Sequence, residues 1–371
     1  MLAAKPPMGW NSWNRFLNSN LRADIASTTE AAILQQARAL VDSGLAAAGY
    51  EYVVLDDCYQ AKRRDHQGRI QTHPHRFPSG IAGLADQIHE LGLKFGLYSV
   101  PGSLTCAQQY DDYNGDDLGS LNREQIDAES LVEWGVDYLK YDWCRAHFND
   151  GLIAEPTFRK MAEALREANA NIVYSISEYG LFEPHKWAPE FCNMWRTTDD
   201  LMPNWPSLLR TIDLQRELYP YSKPGAWNDP DMLQIGNGEL TMAENRAHMY
   251  VWAVLNAPLM AGNDLTKMSD EVRDLLAHPG VIAIDQDWGG QQGRCVFSQS
   301  GQEIWSKPMS AESGWANASV LLNRADSTRN FNVSEHFTGE IELQDVWSGD
   351  SVDCAEIIEL GPHDAVLLLS R

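Results

Sequence analysis

Carboxylate side chains end several apolar segments of this 371-residue chain. The segments are Val53–Asp57, Tyr138–Asp142, Met194–Asp200 and Gly225–Asp231. In a parallel β/α barrel the carboxyl ends of the strands converge on one pocket, and catalytic residues come from several of them. Acidic groups at this many strand ends predict chemistry on a polar, hydroxyl-rich ligand.

Two of these carboxylates match the needs of glycoside hydrolysis. Lys140 lies two residues before Asp142, so both point the same way along a strand and the lysine charge favours the ionised carboxylate. An ionised Asp142 is a candidate nucleophile, with a purely structural Lys–Asp pair as the alternative. Asp200 ends a different strand, and near Asp142 or in a less solvated place it would hold a proton as the acid. Glycoside hydrolysis uses one ionised and one protonated carboxyl group.

Other reaction classes fit the residue pattern less well. Asp56 and Asp57 add two carboxylates that are suited to binding sugar hydroxyls, although four carboxylates also leave a magnesium or calcium site open. The six cysteines form no CxxC pair, which disfavours zinc. No GxSxG motif occurs, which disfavours a Ser–His–Asp hydrolase. We therefore expect no metal and no cofactor.

Tryptophans are numerous near the same strand ends, where they offer flat apolar faces on which sugar rings stack. The chain has 13 of them, including Trp10, Trp13, Trp143, Trp195, Trp205 and Trp227. Most tryptophans in any protein are core residues. Their clustering favours a ligand contact for Trp13 in particular.

Composition limits the classes of partner. Hydrophobic residues make up 44% of the chain, enough for a large core, and the net charge is −23. Nucleic acid and anionic membrane surfaces both require basic patches, so neither is expected as a partner. No apolar run approaches the roughly 20 residues of a membrane span. Because the N-terminus has no apolar segment typical of a signal peptide, we expect a cytoplasmic protein, or a secreted one whose signal peptide is missing from the sequence.

A repeat of glycines indicates the elements that position these residues. Gly49, Gly92 and Gly135 are 43 residues apart each time, and each follows a helical pattern and precedes a strand. Glycine after a helix accepts the left-handed conformation that ends it. Repeated helix–Gly–strand units predict βαβ crossovers and a parallel sheet. Ser27-Thr-Thr-Glu30 has the pattern of a capping box at the start of the first helix.

The whole pattern predicts a (β/α)8 TIM barrel over residues 1–290. The eight strands are predicted near 8–13, 51–57, 94–99, 137–143, 172–177, 194–199, 225–229 and 258–263. An open doubly wound sheet is the alternative, but no Gly-rich phosphate loop follows a strand. Residues 291–371 show short alternating runs near 303–306, 318–322, 340–343 and 364–369, without a clear helix. They predict a small C-terminal antiparallel β-sandwich domain.

Several long motifs, in order, resemble glycoside hydrolase family 27, the α-galactosidase and α-N-acetylgalactosaminidase family. The resemblance covers roughly residues 6–290. The motifs are Met8–Trp13, Leu55–Cys58, Tyr138–Asp142, Trp195–Thr198 with Asp200, and Trp227–Leu233. The family's fold is a β/α barrel followed by an antiparallel β domain, which agrees with the two domains predicted from the strand and helix patterns.

The resemblance implies roles for individual residues. Asp142 matches the family's nucleophile and Asp200 its acid/base in a retaining, double-displacement hydrolysis of terminal α-D-galactosyl residues. Residues matching the galactose pocket are Trp13, Asp56, Asp57, Tyr98, Lys140, Arg196 and Asp231. Cys106 and Cys144 match a disulfide near the pocket. The implied substrate is a small molecule or oligosaccharide with terminal α-galactose.

Residues 177–182 match the segment that distinguishes sugars in the family. Glu178 and Leu181 match members that crowd the sugar's C2 position, which favours galactose over N-acetylgalactosamine. Asp56 and Asp57 favour galactose over arabinopyranose. An α-N-acetylgalactosaminidase, a β-L-arabinopyranosidase, a non-catalytic sugar-binding protein and a metal-dependent lyase or isomerase are the alternatives. Trp143 and Asp199 depart from the family pattern beside the two catalytic positions.

Overall fold

The computed structural model describes residues 1–17, 22–338 and 341–371. Within them, eight parallel strands form one curled, barrel-like sheet, the (β/α)8 architecture. The strands are β1 (Met8–Asn11), β2 (Tyr52–Leu55), β3 (Lys94–Ser99), β4 (Tyr138–Asp142), β5 (Val173–Ser177), β6 (Met194–Arg196), β7 (Trp227–Asp229) and β8 (Leu259–Ala261). Each coincides with a predicted strand, so the predicted fold class is confirmed.

By its contacts the chain divides into two compact units. The first comprises residues 1–3, 7–199 and 260–267, and the second comprises residues 4–6, 200–259 and 268–371. These units are not the domains predicted from the sequence, and the predicted domain boundary at residue 290 stays a prediction.

The first unit carries the strands that hold most of the predicted site. Neighbouring strands from β1 to β6 pair in parallel. Side chains of β2 and β5 are buried along the whole strand, as is typical of a parallel sheet covered on both faces. Its helices are α1 (Glu30–Asp42), α2 (Leu45–Ala48), α3 (Gly80–Glu90), α4 (Cys106–Tyr110), α5 (Glu124–Glu133), α6 (Ala146–Asn149) and α7 (Ala154–Glu167).

The predicted glycine stops are present, but the predicted capping box is wrong. Gly49, Gly92 and Gly135 all have positive φ after a helix, the conformation that glycine adopts without strain. Helix α1 begins at Glu30 with Thr29, not Ser27, as its N-cap, and Thr29 accepts a hydrogen bond from the Ala32 amide. Glu30 does not bond back to the cap, because its carboxylate accepts from the Ser79 amide at 3.0 Å.

The second unit contains the remaining helices and an antiparallel β region. The helices are α8 (Trp205–Leu214), α9 (Met242–Val254), α10 (Asp270–Leu276), α11 (Pro279–Gln286) and α12 (Val333–His336). The strands are β9 (Arg294–Gln299), β10 (Gln302–Pro308), β11 (Asn317–Asn323), β12 (Arg329–Asn332), β13 (Leu343–Asp345), β14 (Ser351–Val352), β15 (Ile357–Leu360) and β16 (Ala365–Ser370). Six of these strands form one antiparallel sheet, and β12 pairs with β15 in a second.

Side chains from both C-terminal sheets share one core. Phe331 and Leu360 of the small sheet pack with Leu321, Leu343 and Leu368 of the large one. This is the predicted antiparallel β domain. The short helix α12 lies where no helix was predicted, because a single turn is too short to show a helical period. Of the predicted strand at 340–343, Glu340 lies outside the described residues.

No helix in the described ranges combines the length and the apolar character that crossing a bilayer requires.

Candidate active site

Asp142 is the last residue of β4, and its side chain lies at the centre of the best-defined polar cluster of the first unit. The residue is 6% exposed. Lys140 Nζ lies 3.9 Å from Asp142 Oδ2 and 2.7 Å from Asp56 Oδ2. The alternation of side chains along β4 therefore places one ammonium group between two carboxylates, with its hydrogen bond to Asp56.

Asp56 connects three strands of the barrel through hydrogen bonds. It follows the last residue of β2, and its Oδ2 accepts from Lys140 of β4 and, at 2.8 Å, from Asn11 Nδ2 of β1. Its backbone amide donates to Ser12 Oγ at 2.9 Å. These bonds give a buried carboxylate the partners it needs and fix its orientation.

Asp57 is held by backbone amides of the segment after β2 and of helix α4. Its Oδ1 accepts from the Cys58 amide at 2.7 Å, and its Oδ2 accepts from the Ala107 amide at 2.8 Å. Burial nevertheless raises the pKa of Asp57 to about 6, because desolvation outweighs these bonds. Both oxygens of this predicted sugar ligand therefore have protein partners, so its observed contacts serve to position these segments.

A disulfide lies beside the Asp142 carboxylate. Cys106, the first residue of α4, is bonded to Cys144, which follows β4 by two residues. Their sulfur atoms and an Asp142 oxygen lie within 4.8 Å of one another. The buried Tyr98 hydroxyl donates to Cys144 Sγ at 3.1 Å and accepts from the Cys106 amide at 3.2 Å. The hydroxyl of this predicted pocket residue thus fixes the disulfide, whose sulfurs have no thiolate to offer a metal.

The segment after β5 adds a hydroxyl donor and a buried acid. The Tyr179 hydroxyl donates to Asp142 Oδ1. Glu178 is 0% exposed, and its Oε2 accepts from the Phe182 amide at 2.8 Å, while its Oε1 has no hydrogen-bond partner among the described residues. Burial raises the pKa of Glu178 to about 8. Leu181, the other residue predicted to read the sugar, is exposed.

The structure separates the predicted aromatic contacts into two groups. Trp10, Trp143 and Trp195 are fully buried and belong to the core. Trp13 is only half-buried, and its backbone amide donates to Asn11 Oδ1 at 2.8 Å. The asparagine that positions Asp56 therefore also fixes the backbone of Trp13.

The predicted residues at the end of β6 differ in burial. Arg196 is buried. Its Nη2 donates to the Thr198 carbonyl at 3.0 Å, and this hydrogen bond lies where the chain leaves the strand. Asp199, the last residue of the 7–199 segment of the first unit, is exposed.

In the second unit, Asp200 is exposed and Asp231 is buried. Asp231 Oδ2 accepts from the Leu201 amide at 2.7 Å, and its carbonyl accepts from Trp252 Nε1 at 2.9 Å. Asp231 has a φ of 92°, a conformation that non-glycine residues rarely adopt. Hydrogen bonds to its side chain and carbonyl hold Asp231 in this conformation. Its bond to the Leu201 amide also fixes the backbone that follows Asp200.

Residue types alone did not identify every member of the first-unit cluster. Asn11 and Ser12 were part of a motif but had no assigned role, and Tyr179 was only part of the specificity segment. A usable signal was present, since Asn11 ends β1 and Tyr179 follows β5 by two residues, so both are strand-end polar groups. Their partners, however, come from other strands and required the three-dimensional structure.

Comparison with known proteins agrees with the fold. Residues 5–287 match the family described as "Alpha galactosidase A", and residues 299–370 match "Alpha galactosidase C-terminal beta sandwich domain". The chain belongs to this α-galactosidase family, glycoside hydrolase family 27, and is a glycoside hydrolase.

Relatives align over nearly the full length. The chain is 38% identical over 360 residues to alpha-galactosidase 2 of Arabidopsis thaliana, covering 96% of this chain and 86% of that protein. It is 37% identical over 395 residues to alpha-galactosidase A of Cellvibrio japonicus, with coverages of 99% and 92%. The crystal structure of alpha-galactosidase I from Mortierella vinacea superposes with a TM-score of 0.88 at 29% identity, covering 100% of this chain and 97% of that one.

Proposed function

We propose that this protein removes terminal α-D-galactosyl residues by a retaining double displacement, with Asp142 as nucleophile and Asp200 as acid/base. The observation that carries the proposal is the environment of Asp142. A buried carboxylate at a barrel strand end accepts a hydrogen bond from Tyr179 and has an ammonium group 3.9 Å away. Both neighbours stabilise the charged form, which is the form that attacks.

The proposed chemistry has two steps. An Asp142 oxygen bonds to the anomeric carbon while the glycosidic C–O bond breaks, and Asp200 gives its proton to the departing oxygen. Water then attacks the anomeric carbon, gives a proton back to Asp200 and releases Asp142. Two inversions at one carbon restore the original configuration.

Galactose is the sugar that the pocket residues favour. Glu178 accepts a hydrogen bond from the Phe182 amide, which fixes its position within the segment that matches C2 recognition. Asp56 is fixed by Lys140, which supports recognition of the hydroxymethyl group that arabinopyranose lacks. Asp57, whose oxygens both accept from backbone amides, positions the segment beside it. The galactosidase names of the relatives agree with this choice.

A panel of nitrophenyl glycosides tests the proposal. We expect turnover of the α-galactoside and little of the α-N-acetylgalactosaminide or β-L-arabinopyranoside. Preferential turnover of either of the latter would assign the other sugar, and sugar binding without any hydrolysis would indicate a binding protein. Loss of turnover on treatment with a chelator would instead support the metal-dependent alternative.

Two substitutions test the roles. Asp142→Ala should abolish turnover while the circular dichroism spectrum stays unchanged. Asp200→Asn should lose most activity on poor leaving groups and less on nitrophenolate, because only poor leaving groups need a proton. The adjacent Asp199, which is also exposed, provides the matched control, since Asp199→Asn should not discriminate between leaving groups.

A further inference from the structure

Three aromatic side chains of the first unit form a surface that the proposed mechanism does not use. We propose that this aromatic platform, made of His147, Phe148 and Phe182, binds the leaving-group sugar of the α-galactoside. The inference rests on the proposed function and extends it from the galactosyl residue to the group it is attached to.

The platform is contiguous and open to solvent. The His147 ring centroid lies 4.1 Å from that of Phe148 and 5.4 Å from that of Phe182. Phe148 is 71% exposed and Phe182 is 41% exposed. Isolated exposed apolar residues are ordinary, but adjoining exposed aromatic rings indicate a contact surface.

Short chain connections link the platform to the residues around Asp142. Phe182 follows Tyr179 by three residues, a span of at most about 10 Å, and the Tyr179 hydroxyl donates to Asp142. On the other side, Trp143 directly follows Asp142 and donates from Nε1 to His147 Nδ1 at 2.8 Å. The segments that carry the platform rings therefore adjoin the segments that carry Asp142 and its hydrogen-bond donor.

The platform is held rigidly, which reduces the entropy lost on binding. The Phe182 amide donates to Glu178 Oε2, and the Phe182 carbonyl accepts from Trp187 Nε1 at 2.9 Å. On the other side, the Trp143 indole is fully buried and fixes the His147 ring. Both ends of the surface are thus tied to the segments that carry the site.

Polar groups on the platform favour a sugar over an alkyl chain. Because His147 Nδ1 accepts from Trp143, the neutral ring carries its hydrogen on Nε2, a donor for a hydroxyl group. The exposed Arg145 guanidinium lies over the Phe148 ring, 5.2 Å from its centroid, and adds further donors. A pyranose offers both an apolar face for the rings and hydroxyl oxygens for the donors.

Two substrates separate this role from the hydrolysis itself. Melibiose has a glucose leaving group, whereas α-galactosyl fluoride has a single atom that cannot reach the platform. Phe148→Ala should lower kcat/KM for melibiose by about three- to tenfold, the range for one aromatic contact. The kcat/KM for α-galactosyl fluoride should stay within about twofold of the wild type. Trp347→Ala, which removes an exposed aromatic ring of the second unit, should change neither value.

Three results would overturn the inference. Equal losses on both substrates would show that the rings support the fold or the galactose pocket, and unchanged melibiose kinetics would show that the leaving group does not use them. A greater loss of kcat/KM on an alkyl α-galactoside than on melibiose would show that the platform binds an alkyl chain and not a sugar. If the wild type cleaves neither melibiose nor the fluoride, the proposed function fails first and the platform's role fails with it.

Discussion

At the scale of single residues, the environment of Asp142 is set by Lys140 of β4 and by Tyr179 of the loop after β5. Lys140 could be inferred from the sequence because it lies two residues before Asp142 on the same strand. Tyr179 could not be paired with Asp142 in this way, because its hydroxyl reaches the carboxylate from the loop after β5. Alternation predicts contacts within a strand, while contacts between strand ends depend on loop conformation.

Substituting Tyr179 tests its effect on the nucleophile. Tyr179→Phe removes a hydrogen bond that favours the charged carboxylate, so the pKa of Asp142 should rise. We expect the acidic limb of the kcat/KM profile to move to higher pH by roughly one unit, as the loss of one bond to a charged group implies. Tyr110→Phe, at an exposed tyrosine of α4, is the control and should leave the limb in place. An unmoved limb in Tyr179→Phe would contradict the role.

Glu178 should make stability depend on pH. Its pKa is about 8 in the folded protein against an ordinary value of 4.5, so between these values the folded state holds more protons than the unfolded state. The free energy of unfolding should therefore fall as pH rises through this window, by at most about 1.4 kcal/mol per pH unit for this group.

Urea unfolding of the wild type and Glu178→Gln at several pH values measures this contribution. The stability of the wild type relative to the variant should decline from about pH 4.5 to about pH 8 and level off above. Glu129→Gln provides the reference for an exposed glutamate. A wild-type advantage that grows with pH would contradict the sign.

At the scale of elements, the strands lie where they were predicted, whereas the cap of the first helix does not. All eight barrel strands lie where their apolar runs indicated, because burial on both faces leaves a continuous signal. Strand β6 ends at Arg196, three residues before its predicted end, and the chain turns where Arg196 binds the Thr198 carbonyl. The Ser27 cap failed because Thr29 is the residue whose side chain meets the free amide of Ala32.

The disulfide joins two elements around the site, α4 and the turn after β4. It closes a loop with a sequence separation of 38. In the chain-entropy description such a cross-link stabilises the fold by about 3–4 kcal/mol. The double substitution Cys106→Ser with Cys144→Ser should lower the free energy of unfolding by this order, measured by urea denaturation. Cys354→Ser, at an unpaired and half-buried cysteine, should lower it much less.

At the scale of the whole molecule, the fold class and the C-terminal β domain followed from the change in pattern near residue 290. The chain crosses between the two compact units at several points, one of them between Asp199 and Asp200. Sequence patterns report local periodicity, whereas compact units follow from contacts distant in the chain. This is why the order of the elements could be predicted, while the boundary predicted at residue 290 stays a prediction.

The net charge of −23 gives a prediction for the entire chain. Self-repulsion of the folded state is screened by salt, with a Debye length of about 30 Å at 0.01 M and about 8 Å at 0.15 M. The midpoint of thermal unfolding should therefore rise when sodium chloride increases from about 0.01 to about 0.15 M. Potassium chloride at the same ionic strength is the control and should give the same rise, because screening depends on ionic strength. A midpoint that falls with salt would indicate that ion pairs outweigh the net repulsion.

The central claim is that Asp142 bonds to the sugar, and trapping the glycosyl-enzyme tests it most directly. A fluorinated galactosyl fluoride that slows the second step should label the wild-type protein. Mass spectrometry of proteolytic peptides should then place one fluorogalactosyl group on Asp142, with no label on Asp142→Ala. Stable label on another carboxylate, or an active enzyme that forms no adduct and releases inverted product, would contradict the account.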